Sequence, residues 1–346
     1  MKTNTEREIF QQHEALRKTY AYLMEHEEEI KNFFNGCGCK KIVFMGCGSS
    51  YMLAKSGQRM FGAAKGVSSA AIAGGDYLMC PNFYQECVKD SLVVVLSRSG
   101  KTSEMVRALE ILKEHENCIV LSITAAQPND FSKYADLELT MDWCCDLSVC
   151  QTRTVTNFYL ALSMLFCFYR QDTCTLEALR TAVRENEKFQ EQNREHLCKI
   201  AEMDWNRVVV LANGLFNGIA QEGALAFTEI AMVPGCSYSM LDYRHGPIVL
   251  NDRRTLTVVL LQQKEKELQR GLLADLKKRG GFVLAVGQGT KEFWGVDALI
   301  DAGKEWNTCA AGIPFLYAIQ ILAYEKAVKL GLNPDQPEGL DAYILL

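Results

Sequence analysis

Four stretches of this 346-residue sequence combine residue types that could hold an anion or move protons. Two are glycine- and serine-rich: Gly46-Cys47-Gly48-Ser49-Ser50 and Ser97-Arg98-Ser99-Gly100-Lys101-Thr102-Ser103-Glu104. Each follows a short apolar run and precedes a helical pattern. Glycine lets the backbone approach a ligand, hydroxyls add donors, and the free N–H groups of a helix start face an anion. Either loop alone reads equally well as a tight turn, with Thr102 simply capping its helix. Two such loops together, with hydroxyls at Ser97, Ser99 and Thr102, point to phosphate. Neither fits the GxxxxGK[ST] pattern, and the GxG fragment lacks the acidic partner of a dinucleotide fingerprint, so nucleotide hydrolysis and dinucleotide binding are unsupported.

The other two stretches carry proton-transfer groups. In Gln221–Glu229 the pattern is helical, so Glu222 and Glu229, seven apart, share a face two turns from one another. The apolar surroundings of Glu229 would desolvate its carboxylate and raise its pKa, which suits a general base; Glu222 taken alone reads as a surface glutamate. His245 lies in an irregular Asp242-Tyr243-Arg244-His245-Gly246-Pro247 turn between two apolar segments. Functional side chains concentrate in loops held by a rigid scaffold, although a histidine hydrogen-bonding its own turn is an even alternative. His13, His26, His115 and His196 sit in charged helical stretches and are expected at the solvated surface.

The elements that must position these groups alternate regularly. The apolar runs 41–46, 68–74, 91–97, 118–124 and 136–141 are separated by helical patterns, and the rhythm restarts at 207–214, 236–241, 255–262, 281–287 and 297–301. Runs without polar alternation suit strands covered on both faces, hence parallel sheets flanked by helices. The expected fold class is α/β, with two doubly wound, flavodoxin-like parallel-sheet domains in tandem. The expected boundaries are a helical segment at 1–34, a first domain at 35–172, a helical connector at 173–203 and a second domain at 204–346, with a glycine-rich break at 35–38 and a final apolar helix at about 312–330. After the run 255–262 the second half has no glycine–serine loop, so one phosphate loop per chain is expected, in the first domain.

Composition removes several function classes. Hydrophobic residues make up 48% and charged residues 23%, the balance of a globular protein with sizeable cores. A net charge of −5 argues against nucleic acid as a partner. The polar N-terminus does not read as a secretory signal. The longest mostly apolar run, 158–169, is too short to span a bilayer and reads as a buried core helix. Without an export signal, the fourteen cysteines read as reduced thiols. The groupings Cys37-Gly38-Cys39, Cys144-Cys145 and Cys150 lack the spacing of a structural zinc site and read as small buried hydrophobes. No cofactor or metal is called for, and a cytoplasmic location is expected.

These residues together resemble the double SIS-domain phosphosugar enzymes. Ser97–Glu104 resembles their phosphate loop. Gln221–Glu229 followed by Arg244-His245-Gly246-Pro247 resembles the EGA-x4-E and K/R-H-G-P segments of their second domain. Asn333-Pro334-Asp335-Gln336-Pro337 resembles their DQPRNLAK tail. The similarity runs from about Lys40 to the C-terminus. It implies that Ser50, Ser97, Ser99 and Thr102 bind the phosphate of a sugar, that Gln151 and Glu222 lie near the sugar, that Glu229 is the base, and that His245 is the ring-opening acid/base. It also implies a homodimer in which His245 enters the neighbouring subunit's site. The best-known member is the isomerase half of glucosamine-6-phosphate synthase, but two lysines of that enzyme fall on Ala226 and Ala342, and no glutaminase segment is present.

What remains resembles most the deglycases of fructosamine 6-phosphates, which would split an Amadori 6-phosphate into a hexose 6-phosphate and an amine or amino acid by proton transfer through an enolamine. An amino-sugar-phosphate deaminase or aldose–ketose isomerase is the nearest alternative, since the same proton transfer serves it. A sugar-phosphate sensor without catalysis is the third, disfavoured by the retention of both Glu229 and His245.

Overall fold

The computed structural model describes residues 3–115, 117–303 and 308–344. Three helices come first, α1 (Asn4–Phe10), α2 (Gln12–Glu25) and α3 (Glu27–Cys37). The first sheet region follows as β1 (Lys41–Gly46), α4 (Ser49–Gly62), β2 (Ser68–Ala73), α5 (Gly74–Met79), α6 (Pro81–Val88), β3 (Leu92–Ser97), α7 (Ser103–His115), β4 (Ile119–Thr124), β5 (Leu137–Thr140) and α8 (Arg153–Arg170). After α9 (Thr173–Ala201) comes the second: β6 (Arg207–Leu211), α10 (Asn217–Ile230), β7 (Gly235–Tyr238), β8 (Thr255–Leu260), α11 (Lys266–Lys278), β9 (Phe282–Gly287), α12 (Lys291–Trp294), β10 (Ala298–Asp301) and α13 (Gly312–Lys329).

The chain divides into two compact units. The first comprises Glu14–Leu176 and Asp341–Leu346, the second Met1–His13 and Glu177–Leu340. Each contains one five-stranded parallel sheet, in the orders β2-β1-β3-β4-β5 and β10-β9-β8-β6-β7. Read in chain order within each unit, both are the flavodoxin-like 2-1-3-4-5 arrangement. The central strands β3 and β8 are buried at every position, as a sheet covered on both faces requires. In the first unit Val43, Met45, Val93, Val95, Leu109 and Val120 lie in one continuous core.

Two local expectations need correction. The glycine break at 35–38 does not end α3 at Phe34; the helix runs through Gly36 to Cys37 and stops at Gly38, whose φ of +57° is the left-handed conformation that closes many helices. Of the cysteine groupings, Cys144 and Cys150 are buried but Cys37, Cys39 and Cys145 are only half-buried. No disulfide and no cluster of three metal-ligating side chains occurs among the described residues. No described helix is long and apolar enough to cross a membrane. The run 158–169 lies in α8, where Phe158, Tyr159 and Leu162 are fully buried.

Candidate functional site

In the first unit, β1 and β3 are adjacent, and the chain continues to opposite sides of them, to β2 and to β4. The loops leaving their carboxyl ends therefore flank the switch point, where open α/β sheets bind ligands. These are the two glycine–serine loops singled out by the sequence.

The loop after β3 is built on its own hydroxyls. Ser97, 4% exposed, ends the strand, and its Oγ accepts the Gly100 N–H at 3.0 Å and lies 3.5 Å from Thr102 Oγ1. Ser99 Oγ accepts the Lys101 N–H at 3.2 Å. Gly100 has φ +60°, and a Cβ there would lie 2.4 Å from Asn129 Cβ. Asn129 is fixed in turn: its Nδ2 donates to Glu138 Oε1 at 2.7 Å and its Oδ1 accepts the Phe131 N–H at 3.0 Å. Only glycine combines that backbone conformation with that approach. The Thr102 carbonyl accepts the Val106 N–H at 3.1 Å, so Thr102 does begin α7 while its hydroxyl stays beside Ser97.

The loop after β1 turns at Gly48, φ +54°, whose carbonyl accepts the N–H groups of Tyr51 and Met52. Ser50 is 3% exposed. It sits directly over Gly46, where a Cβ would come 2.7 Å from the Ser50 carbonyl carbon. Cys47, between the glycines, has its thiol pushed up to about 11 by burial and by the neighbouring Glu104 carboxylate, so it is protonated at neutral pH and no ready nucleophile.

Arg98 and Asp146, which are not among the expected site residues, hold parts of this unit together. Arg98, 6% exposed, donates from Nη1 to the Ser148 carbonyl and from Nη2 to the Ala342 carbonyl, both at 2.7 Å. Asp146, also 6% exposed, accepts the backbone N–H groups of Thr152, Arg153 and Thr154 at 2.9, 3.1 and 3.0 Å. It thereby caps α8 and fixes the turn that holds Gln151. Gln151 Oε1 is buried and finds no hydrogen-bond donor among the described residues. Arginine in a serine loop suggests an anion ligand rather than a carbonyl ligand, and an aspartate six residues ahead of the groups it caps falls outside the usual N-cap spacing.

In the second unit, α10 brings Glu222 and Glu229 onto one face, and His245 lies in a separate loop. Glu222 is 3% exposed, so its reading as a surface glutamate is wrong; close packing of α10 buries it. Glu229 is half-buried and His245 is exposed. The His245 loop joins two short 3₁₀ turns, Asp242–Arg244 and Pro247–Leu250, through Gly246 at φ +131°. Arg244 is anchored to Asp275 at 2.7 Å, and the His245 N–H to the Asp242 carbonyl at 2.9 Å. Among the other histidines, His196 is exposed as expected. His13 and His26 are half-buried: His13 packs with its Nε2 3.6 Å from Glu187, and His26 Nδ1 lies 2.8 Å from the Tyr22 carbonyl oxygen. The side chain of His115 lies outside the described residues.

Ser50, Ser97, Ser99, Thr102 and Gln151 thus belong to one unit, and Glu222, Glu229 and His245 to the other.

Comparison with known proteins fits this geometry. Residues 38–167 match the SIS domain, which covers the first sheet; the likeness of the second sheet to it rests on topology. The isomerizing glutamine–fructose-6-phosphate aminotransferase of Caldanaerobacter subterraneus subsp. tengcongensis is 26% identical over 318 residues, 87% of this chain and 51% of that protein. The chain spans about half the length of the first curated relatives it matches. D-galactosamine-6-phosphate deaminase AgaS of a Shewanella strain is 28% identical over 278 residues, 77% of this chain and 69% of that protein. The crystal structure of glucosamine-6-phosphate deaminase from Thermotoga maritima superposes with a TM-score of 0.83 at 26% identity, covering 99% of this chain and 100% of that one. Residues 38–167 thus resemble a SIS domain, and the chain is similar over most of its length to isomerizing aminotransferases and amino-sugar-phosphate deaminases.

Proposed function

We propose that this protein is an amino-sugar-phosphate deaminase/isomerase, acting on a hexosamine 6-phosphate and working without a metal. The observation that carries this reading is the hydroxyl-lined loop Ser97–Thr102 at the carboxyl end of β3, beside the Ser50 loop of β1. Ser50, Ser97, Ser99, Thr102 and the first N–H groups of α4 and α7 would grip the phosphate. The buried Gln151 Oε1 supplies an acceptor for a sugar hydroxyl or ammonium. Similarity to a galactosamine-6-phosphate and a glucosamine-6-phosphate deaminase supports this reading over the deglycase reading favoured by sequence alone.

In the proposed reaction His245 relays the proton that opens the sugar ring. Glu229 then takes the C2 proton of the open-chain 2-amino aldose as O1 gains a proton, giving an enolamine, and returns it at C1 as the nitrogen gives one up. The resulting C2 imine adds water and releases ammonia, leaving a ketose 6-phosphate. Positioned acid–base groups each contribute about 10²–10⁴-fold. Glu222 would hold the substrate near the base. A homodimer with His245 reaching the neighbouring site, in the cytoplasm, completes the proposal.

A fructosamine 6-phosphate deglycase is the second reading, favoured by Ala226 and Ala342 standing where the synthase carries lysines. Incubation with glucosamine, galactosamine and fructosamine 6-phosphates, following ammonia, amine and hexose phosphate, decides. Ammonia from a hexosamine phosphate supports the first reading; amine release from the fructosamine alone replaces it with the second. Turnover of none of them removes both.

A further inference from the structure

We propose that Arg98 is a positioning residue that ties the segment 341–344 onto the phosphate loop, and that it does not itself bind phosphate. The inference rests on the phosphate-loop reading above but concerns a residue that reading leaves without a role.

By residue type, Arg98 should be the principal anion ligand of its loop. A guanidinium presents five N–H donors in a rigid fork suited to phosphate oxygens. Its burial and partners point elsewhere. It is 6% exposed, and both terminal nitrogens donate to backbone carbonyls at 2.7 Å. One is Ser148, three residues ahead of Gln151; the other is Ala342. A second bond joins the same segments, from the Ser103 N–H in the first turn of α7 to the Ile344 carbonyl at 3.4 Å.

Three separate pieces of the first unit therefore meet at one side chain: the phosphate loop, the turn before α8 and the segment 341–344. Hydrogen bonds from a charged donor to buried carbonyls contribute more than neutral ones, and losing the donor strands both acceptors. The Ser103 N–H lies in the first turn of α7, where no intrahelical acceptor is available, and the Ile344 carbonyl takes it. Arg98 thus couples the order of that segment to the shape of the loop. The loop's hydroxyls and remaining N–H groups are left for the anion.

The test uses the full chain with Arg98→Ala and Arg98→Lys. Lysine keeps the charge for a phosphate but is a single point donor and cannot serve both carbonyls. Two quantities are followed: the affinity for inorganic phosphate by calorimetry, and amide exchange at Ser103. The expected result is phosphate affinity within about threefold of the parent in both variants, with exchange at Ser103 at least tenfold faster in both. Because Arg98 is buried, a chain ending at Asp341 serves as the third variant; residues 342–344, which it removes, are exposed. It should reproduce the faster Ser103 exchange, with Arg98→Ala adding little on top. A tenfold or greater loss of phosphate affinity in Arg98→Ala that lysine restores would make Arg98 a phosphate ligand and overturn the proposal. So would unchanged Ser103 exchange in the truncated chain. Failure of the parent chain to bind phosphate would instead count against the loop's function, and the exchange result would stand on its own.

Discussion

Gly223 of α10 lies so close to Ile319 of α13 that a Cβ at position 223 would come 2.5 Å from Ile319 Cδ1. The contact matters because Gly223 follows Glu222 directly and Glu229 lies two turns further along the same helix. One residue further on, Gly235 of β7 approaches the Ala224 carbonyl oxygen, where a Cβ would fall at 2.1 Å. The helix carrying both glutamates is thus wedged between α13 and β7 with no room for a side chain at either place.

Gly223→Ala should therefore lower stability by about 1–3 kcal/mol, the usual cost of overpacking a filled core. The backbone there is helical and alanine is otherwise the better helix former, so a stabilisation in urea unfolding would mean that Ile319 moves aside easily.

Ser97→Ala should cost more than its size suggests. It removes the acceptor of the buried Gly100 N–H and the neighbour of the Thr102 hydroxyl. Stranding that donor costs roughly 1–3 kcal/mol. Calorimetry should also show weaker binding of inorganic phosphate than in the parent chain. Affinity unchanged within twofold would place the anion elsewhere.

Glu229→Gln and His245→Ala should each lose about 10²–10⁴-fold in turnover. Both side chains are at least partly accessible, so circular dichroism and the unfolding midpoint should stay at the parent values. Full activity in either variant removes that residue from the mechanism.

The ten strands among the described residues were legible in the sequence, the inner ones as short apolar runs and the edge strands β5 and β7 by their place in the alternation of strand and helix. The run 41–46 coincides with β1, and the other nine differ from their strands by no more than a few residues at either end. The loop after β3 was legible as a candidate anion loop because two glycine–hydroxyl turns follow strands of the same half, although either alone reads as a tight turn. Glu222 was misread because it is buried on a helix packed against elements distant in sequence, as the approach of Gly223 to Ile319 shows, and helical periodicity cannot report such packing. Arg98 was passed over for the same reason: its partners are carbonyls of Ser148 and Ala342, and any residue can supply a carbonyl. Local pattern identifies elements and the chemistry of a loop; it does not reveal which distant backbone groups a buried side chain must satisfy.

Lys326 offers a pH test. It is 2% exposed, stacks 4.0 Å from the Trp205 ring centre and donates to the Met203 carbonyl at 2.7 Å. Burial, with help from Lys329, lowers its pKa from 10.5 to about 8. Between those values the unfolded chain keeps the proton that the folded chain has lost, so unfolding takes up about one proton. Stability measured relative to Lys326→Met should then rise as pH increases from 8 to 10.5. A flat difference across that window would mean the ammonium stays charged on its carbonyl.

Asp146 provides the sharpest separation of structure from binding. Its carboxylate accepts three consecutive backbone N–H groups at the start of α8, the helix whose first turn follows Gln151. Asp146→Ala removes the carboxylate that all three donors share, two of them buried, which should cost about 2 kcal/mol or more. Asp146→Asn keeps one side-chain oxygen and should lose less. The serine loop after β3 meets this turn through Arg98 and the Ser148 carbonyl, but its own shape is set by Ser97, Gly100 and Asn129. Affinity for inorganic phosphate should therefore stay within about threefold in both variants, while KM for a phosphosugar rises as Gln151 loses its fixed turn. If phosphate affinity falls in step with stability, the two loops form one cooperative site and Gln151 has no separate role in holding the sugar.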